Sequence, residues 1–211
     1  MNEEQAILDF FSRPENLSLS LKLAEQMDML REQMNNRFWR ETQLRLGKMQ
    51  KELGLAWLLE PTEDRNAPDR LVGLHCDIGT KQPLYLRPML EQQYLGKEWR
   101  IYFGLMWSTL PAPAQLEIPA VKILKASLQK AGFKSNESFL AWRWTAFHPR
   151  SKDFLLRYAH QPEKLLDEAA GVFATLLADH CEAIDSANAA LDSPQHSLAA
   201  SLDSLRNELI D

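Results

Sequence analysis

Apolar residues near the amino terminus recur at a spacing that is typical of a helix. Five of them follow one another at steps of four and three: Leu23, Met27, Leu30, Met34 and Phe38. This spacing lines one face of an α-helix. It predicts a long helix from about Leu17 to Leu53, after a short helix over Glu3–Phe11. Gly47 costs about 1 kcal/mol relative to alanine in mid-helix, which makes it a place for a kink.

The middle of the chain carries short apolar runs that are separated by polar turns. Four strands are predicted: Leu55–Glu60, Leu71–Ile78, Leu84–Pro88 and Trp99–Trp107. A polar turn is expected over Pro61–Asp69. In the second strand, Leu71 and Gly73 should share one side, with Val72 and Leu74 on the other. Because no helical pattern intervenes, the runs favour an antiparallel sheet with one face covered.

Helical spacing returns at Pro119 and continues toward the carboxy terminus. Three helices and one strand are predicted: a helix from Pro119 to Gly132, a strand over Leu140–Phe147, and helices over Lys152–His160 and Pro162–Leu191. A weaker helix follows, with a leucine repeat that suits docking on another surface: Leu198, Leu202, Leu205 and Leu209. The sequence predicts one α+β domain over residues 1–192, with an antiparallel sheet of about four to six strands packed against long helices. Residues 193–211 are predicted to form an acidic carboxy-terminal helix or tail.

Composition narrows the class of protein. The 211 residues are 45% apolar and 25% charged, which is typical of one globular domain. No apolar stretch approaches the roughly 20 residues that span a bilayer, and the amino terminus has no signal-peptide pattern. Cys76 and Cys181 form no C-x-x-C pair, so two reduced thiols in a cytoplasmic protein are expected.

Charge is distributed unevenly along the chain. Residues 1–160 contain 22 Lys and Arg against 19 Asp and Glu, whereas residues 161–211 contain 2 against 10. The carboxy-terminal part therefore carries a net charge of −8. Such a segment repels nucleic acid and suits solvent or a basic protein surface.

Motifs that would carry chemistry or bind a cofactor are missing. The five histidines show no zinc spacing, and neighbouring ligand types in Asp179–Glu182 point in different directions on a helix. His180 instead fits a core position. There is no nucleophile elbow and no glycine-rich phosphate loop. No lysine has Glu, Asp or Gln two positions before it, so the carboxylate–lysine core of a metal-dependent nuclease is absent. No metal and no cofactor are predicted.

Tryptophans beside arginines are the one affirmative signal for binding. Trp39-Arg40, Trp99-Arg100 and Trp142-Arg143-Trp144 are most simply explained by tryptophans in the core and arginines in solvent, because neighbouring strand positions face opposite ways. Two groups of arginines are candidate anion-binding residues: Arg87, Arg100 and Arg143 on a shared outer sheet face, and Arg37 and Arg40 on the basic face of the long helix.

The segment Leu21–Leu46, which contains Asn36-Arg37-Phe38-Trp39, resembles bacterial PD-(D/E)XK nuclease superfamily proteins. In those proteins a helix with an Asn-x-Phe-Trp-like signature follows the nuclease core. The strands at Arg100–Leu105 and Trp142–Phe147 and the segment Phe154–Lys164 look similar as well. The resemblance implies that nearly the whole chain matches the non-catalytic carboxy-terminal half of such a protein. No catalytic residue is carried over.

Three functions are compatible with these observations. The first is a non-catalytic module that binds another protein, such as a nuclease or a phage or bacterial defence component, through the Leu198–Leu209 helix and the acidic region. The same helix offers a contact for a second copy of the chain. The second is a nucleic-acid-binding accessory protein that uses its arginines, which the net charge opposes. The third is an enzyme of unrecognised type. No membrane association is predicted.

Overall fold

Six helices and five strands make up the part of the chain that the computed structural model describes, residues 2–52, 54, 57–77, 84–96 and 98–192. In chain order the elements are α1 (Glu3–Phe11), α2 (Pro14–Glu52), β1 (Leu58–Asp64), β2 (Ala67–Asp77), β3 (Leu86–Tyr94), β4 (Trp99–Trp107), α3 (Pro113–Leu116), α4 (Pro119–Lys130), β5 (Phe139–Trp144), α5 (Lys152–His160) and α6 (Pro162–Leu191). The α+β class and the helical regions at both ends are confirmed. The bounds of α1, β4, α5 and α6 agree with those predicted.

The five strands form one antiparallel sheet in the order β1-β2-β3-β4-β5. The antiparallel prediction is therefore confirmed. The predicted turn over Pro61–Asp69 is wrong, because Pro61 lies within β1 opposite Leu74 and β2 begins at Ala67. Proline has no backbone N–H to donate, and it is tolerated in β1 because that strand is at the edge of the sheet.

A bulge near the β1–β2 turn changes which way the side chains of β2 face. Thr62 pairs with Gly73 and Glu63 pairs with Leu71, which leaves Val72 as an extra residue. The predicted alternation, with Leu71 and Gly73 on one side, is therefore wrong, because an extra residue reverses the side-chain direction. Leu71 joins Leu74 in the main core.

The main core lies between one sheet face and a layer formed by α4, α6 and the second half of α2. Its largest buried side chains come from both layers, among them Phe38 and Trp39 of α2, Phe103 of β4 and Phe173 of α6. The indole N–H of Trp39 donates to Oε1 of Gln92 in β3 at 3.1 Å. This bond attaches α2 to β3 of the sheet.

The opposite face of β3 and β4 is buried as well. Met89, Tyr102, Met106 and Phe139 form a second apolar cluster there, with Trp142 and Trp144 packed against it. Every residue from Ile101 to Trp107 is buried. All members of this cluster belong to strands, so the side chains of this face bury one another, whereas the described helices pack on the other face as predicted. The expectation of core tryptophans is right for Trp39, whereas Trp142 and Trp144 are only half-buried on this second face.

Candidate interaction surface

Helix α2 is packed along only part of its length. Its buried residues begin at Asn35 and continue through Phe38, Trp39, Thr42, Leu46 and Gln50. Met34 is the first residue of the apolar stripe to pack against the core. Upstream, the same stripe continues through Leu19, Leu23, Met27 and Leu30, and there all four side chains are exposed. One face of one helix thus changes from core to surface near residue 34.

Residues 2–33, which include α1 and the start of α2, are called the arm here; none of them is buried. Eleven large apolar side chains of the arm are exposed, each by 37% to 68%: Ile7, Leu8, Phe10, Phe11, Leu17, Leu19, Leu21, Leu23, Met27, Met29 and Leu30. Single exposed apolar residues are normal on protein surfaces, whereas so many on one short segment make that segment a candidate interaction surface.

The base of the arm is fixed to β2 by two asparagines. Asn36 donates to the carbonyl oxygen of Asp69 at 2.8 Å and accepts from the backbone N–H of Leu71 at 2.9 Å. Asn35 donates to the carbonyl oxygen of Leu71 at 3.0 Å. These bonds satisfy backbone groups beside the bulge. They give a structural role to Asn36 of the Asn-x-Phe-Trp segment, whose Phe38 is in the core.

Helix α1 is attached to the first turns of α2. Nδ2 of Asn16 donates to the carbonyl oxygen of Phe10 at 2.9 Å, and Oγ of Ser20 donates to that of Phe11 at 3.0 Å. The carbonyl groups at the end of a helix have no partner within the helix, so these two bonds satisfy part of the α1 terminus. The end of α1 therefore lies beside the first turns of α2.

A cleft of about 510 Å³ lies where the arm meets the sheet, with Arg31, Arg70 and Arg150 around it. Arg70 is paired with Glu32 at 2.8 Å, and Arg31 with Asp28 at 3.1 Å. Arg150 has a left-handed backbone (φ 69°), and its guanidinium lies 5.3 Å from the centre of the Trp99 ring. Burial lowers the pKa of Arg150, and the nearby Arg70 lowers it further.

The arginines predicted on the sheet do not form one surface. Arg87 is 9% exposed and lies 3.4 Å from Asp77, so it offers little to a ligand. Arg100 stacks on Trp144, on the same face as Arg87 but roughly 20 Å away along the strands. Arg143 is wrongly predicted to share that face: it pairs opposite Phe103 and stacks on the rings of Phe103 and Phe133, on the side of the main core.

The other predicted binding residues lie either on α2 or outside the described part of the chain. Arg37 and Arg40 are exposed on α2, just past the arm, and Arg37 is bonded to Glu41 at 2.8 Å. This bond raises the pKa of Arg37. The predicted contact residues Leu198, Leu202, Leu205 and Leu209 lie outside the described residues.

Within the described ranges, no three His, Cys, Asp or Glu side chains come together in a way that could hold a metal ion. His180 and Cys181, adjacent in the ligand-rich segment of α6, are each half-buried. No described helix combines the length and the apolar character that crossing a bilayer requires.

The pattern on the arm could have been detected in the sequence. Leu17, Leu19, Leu21 and Leu23 alternate with polar residues, and on a helix this spacing places apolar side chains on two faces. A helix packed on one side of a domain has a single apolar stripe. The second line of leucines was the available signal that this part of α2 has a second apolar surface.

No protein-family model, no curated protein and no solved structure matches this chain. The resemblance to PD-(D/E)XK nuclease proteins therefore stays a prediction.

Proposed function

We propose that this protein is a non-catalytic binding module that acts through protein–protein contacts, with the arm as its contact surface. The observation that carries the proposal is the set of eleven exposed apolar side chains on residues 2–33. The arm extends a helix whose second half is anchored in the main core. A rigidly mounted apolar helix is a common recognition element, because its side chains fit a groove or another helix.

The absence of a recognisable catalytic motif in the sequence supports the non-catalytic part of the proposal. The resemblance to the accessory half of PD-(D/E)XK nuclease proteins would place the contact in a nuclease or defence system of a bacterium or phage. A protein of such a system is the heterologous partner that the resemblance implies.

The proposal is tested by affinity purification from a native host lysate with three forms of the tagged chain. The arm variant carries Leu19→Glu and Met27→Glu, which place charge on exposed positions and should leave the fold intact. Ile123→Glu is the matched control, since Ile123 is 68% exposed on α4, outside the arm. Wild type and control should recover the same proteins, and the arm variant should lose them. Equal recovery by all three forms would assign the contact to another surface.

Binding of nucleic acid, the alternative, has weaker support. Arg87 is buried, Arg143 lies on the main-core side of the sheet, and the chain has a net charge of −5. Affinity for phosphate comes mainly from clustered, accessible Lys and Arg. A titration with DNA and RNA at low salt tests this function, and saturable binding that weakens steeply as salt rises would revive it.

A further inference from the structure

The cleft at the base of the arm is formed by separate parts of the chain. Three arginines and one tryptophan come from different elements: Arg31 from α2, Arg70 from β2, Trp99 from β4 and Arg150 from the turn before α5. The cleft has a volume of about 510 Å³. A concave site on which polar groups converge is the usual form of a small-molecule site.

Two of the arginines are held at the cleft by carboxylates. Arg31 contacts Asp28 through one nitrogen at 3.1 Å. Arg70 contacts Glu32 through one nitrogen at 2.8 Å, and a second nitrogen lies 3.7 Å from Asp64. Because a guanidinium group carries five N–H donors, these pairs use only part of what the two side chains offer. The pairs therefore fix both groups in place and leave N–H donors for a ligand.

Arg150 differs from the other two arginines of the cleft. In the part of the chain that the structure describes it forms no ion pair, and its guanidinium lies 5.3 Å from the centre of the Trp99 ring. Burial lowers the pKa of Arg150 and Arg70 lowers it further, although Glu32 and Asp28 oppose the shift. The cleft is thus lined by three arginines against two carboxylates. An anion beside a half-buried positive charge would stabilise it.

The backbone holds Arg150 at a position that glycine usually occupies. The N–H of Ser151 donates to the carbonyl oxygen of His148 at 3.2 Å, which closes a turn with Pro149 second and Arg150 third. The φ of Arg150 is 69°. A type II turn has proline at its second position and a positive φ at its third, where glycine is favoured because other side chains are strained. Strained residues of this kind cluster at functional sites.

We propose that this cleft binds the phosphate group of a small phosphate monoester, with Arg150 as the main contact and Arg31 and Arg70 beside it. Guanidinium groups bind phosphate oxygens through paired, charge-assisted hydrogen bonds. A phosphate monoester has three acceptor oxygens and a charge of about −1.5 to −2, so it can contact more than one guanidinium at once. A carboxylate has only two oxygens and a single charge.

The cleft has room for more than the phosphate group. Tyr94 and Trp99 line it together, with ring centres 5.4 Å apart, and Tyr94 is 54% exposed. An exposed aromatic ring beside an anion site suits a ligand with a planar ring, because flat groups stack on such rings. A nucleoside monophosphate carries both the phosphate and the ring, and it is therefore the probe that fits the cleft best.

Isothermal titration calorimetry of the full chain tests the proposal with three ligands: adenosine monophosphate, inorganic phosphate and adenosine. Wild type should bind adenosine monophosphate in the millimolar range or tighter at low salt. Inorganic phosphate should bind more weakly, because it lacks the ring, and adenosine should not bind detectably. Binding should weaken as the salt concentration rises, because salt screens the attraction between phosphate and arginine.

Arg150→Gly is the most informative variant, because it removes the guanidinium while glycine favours the positive φ of the turn. It should keep the wild-type circular dichroism spectrum and lose affinity for adenosine monophosphate by at least about tenfold. Arg31→Ala, on the exposed arm, should also weaken binding. Arg40→Ala is the matched control, since Arg40 is exposed on α2 outside the cleft, and it should bind as wild type does.

Three results would overturn the inference. The first is a wild-type chain that binds neither phosphate ligand at millimolar concentration, and the second is adenosine binding as tightly as adenosine monophosphate. The third is a loss of affinity that is the same for Arg40→Ala as for Arg150→Gly, or absent from both. The inference goes beyond the proposed function and fails separately from it, because Leu19 and Met27 lie outside the cleft and their substitution should leave phosphate binding unchanged.

Discussion

The side-chain amide of Asn188 in α6 satisfies both backbone groups of Leu86 at the start of β3. Its Oδ1 accepts from the Leu86 N–H at 2.8 Å, and its Nδ2 donates to the Leu86 carbonyl oxygen at 3.1 Å. Both residues are buried. One side chain thus pairs with Leu86 as a neighbouring strand would.

Replacing Asn188 by alanine should destabilise the protein by about 2–3 kcal/mol, because two buried backbone groups lose their partners. Ser186→Ala, at an exposed position of the same helix, should change stability by less than about 0.5 kcal/mol. Urea unfolding followed by circular dichroism measures both. If Asn188→Ala lowers the free energy of unfolding by less than about 0.5 kcal/mol, water has replaced the amide as the hydrogen-bond partner of the Leu86 backbone.

Gly104 in β4 should not tolerate a side chain. A Cβ there would lie 2.0 Å from the carbonyl oxygen of Ala141 and 2.7 Å from the Cα of Trp142, both in β5. Gly104→Ala must separate the two strands, so a loss of at least about 3 kcal/mol or insoluble expression is expected. Gly47 has open space around its Cβ position within α2, and Gly47→Ala should stabilise the protein by about 0.5–1 kcal/mol. Thermal unfolding distinguishes the two outcomes.

The Arg70–Glu32 pair should make stability depend on pH in the acidic range. The hydrogen bond from Arg70 lowers the pKa of Glu32 below its ordinary value of 4.5, although partial burial opposes the shift. A lowered folded-state pKa stabilises the protein above the ordinary pKa, and this stability is lost as the pH falls through 4.5 and below.

Wild type should therefore exceed Glu32→Gln in stability by up to about 1 kcal/mol at pH 6, and the difference should shrink progressively as the pH falls below 4.5. Glu25→Gln, at an exposed position of the same helix, serves as the control. Urea unfolding across this pH range measures the effect. A difference that does not change with pH would show that the substitution acts through packing.

The two thiols should differ in reactivity. Cys76 is buried, and burial raises the pKa of its thiol, with Asp77 adding to the shift. Cys181 is half-buried on α6. Because the thiolate is the reactive form, Ellman's reagent should label one thiol per native chain and two after denaturation. Cys181→Ser should remove the fast native reaction, and fast labelling of that variant would contradict the buried position of Cys76.

Most elements could be predicted from the sequence because their ends carry strong local signals. Pro162 marks the first turn of α6, and Ser151 caps α5 by accepting from the N–H of Phe154. The sequence predicts a turn in place of the β1–β2 hairpin because Pro61 and Pro68 are typical turn residues, although both lie in strands. Only the position of β1 at the edge of the sheet explains why Pro61 fits in a strand.

The candidate surface was harder to predict than the fold. The apolar stripe of α2, which runs through Leu23 and Phe38, has one continuous helical spacing. Nothing in that spacing reveals that the contact with the sheet ends near Met34. The side on which Arg143 lies depends on the register between β4 and β5, which shifts between Leu105 and Met106. Both facts are set by contacts between distant parts of the chain.

Helix α2 also sets the distance between the arm and the packed domain. It runs without interruption for 39 residues, and about 30 Å of it extends ahead of the packed domain. Because its second half is held by the core and its midpoint by Asn35 and Asn36, the tip cannot swing independently of the sheet. Whatever binds the arm is therefore held at a set distance and angle from the domain, and the length of one helix defines the spacing of the assembly.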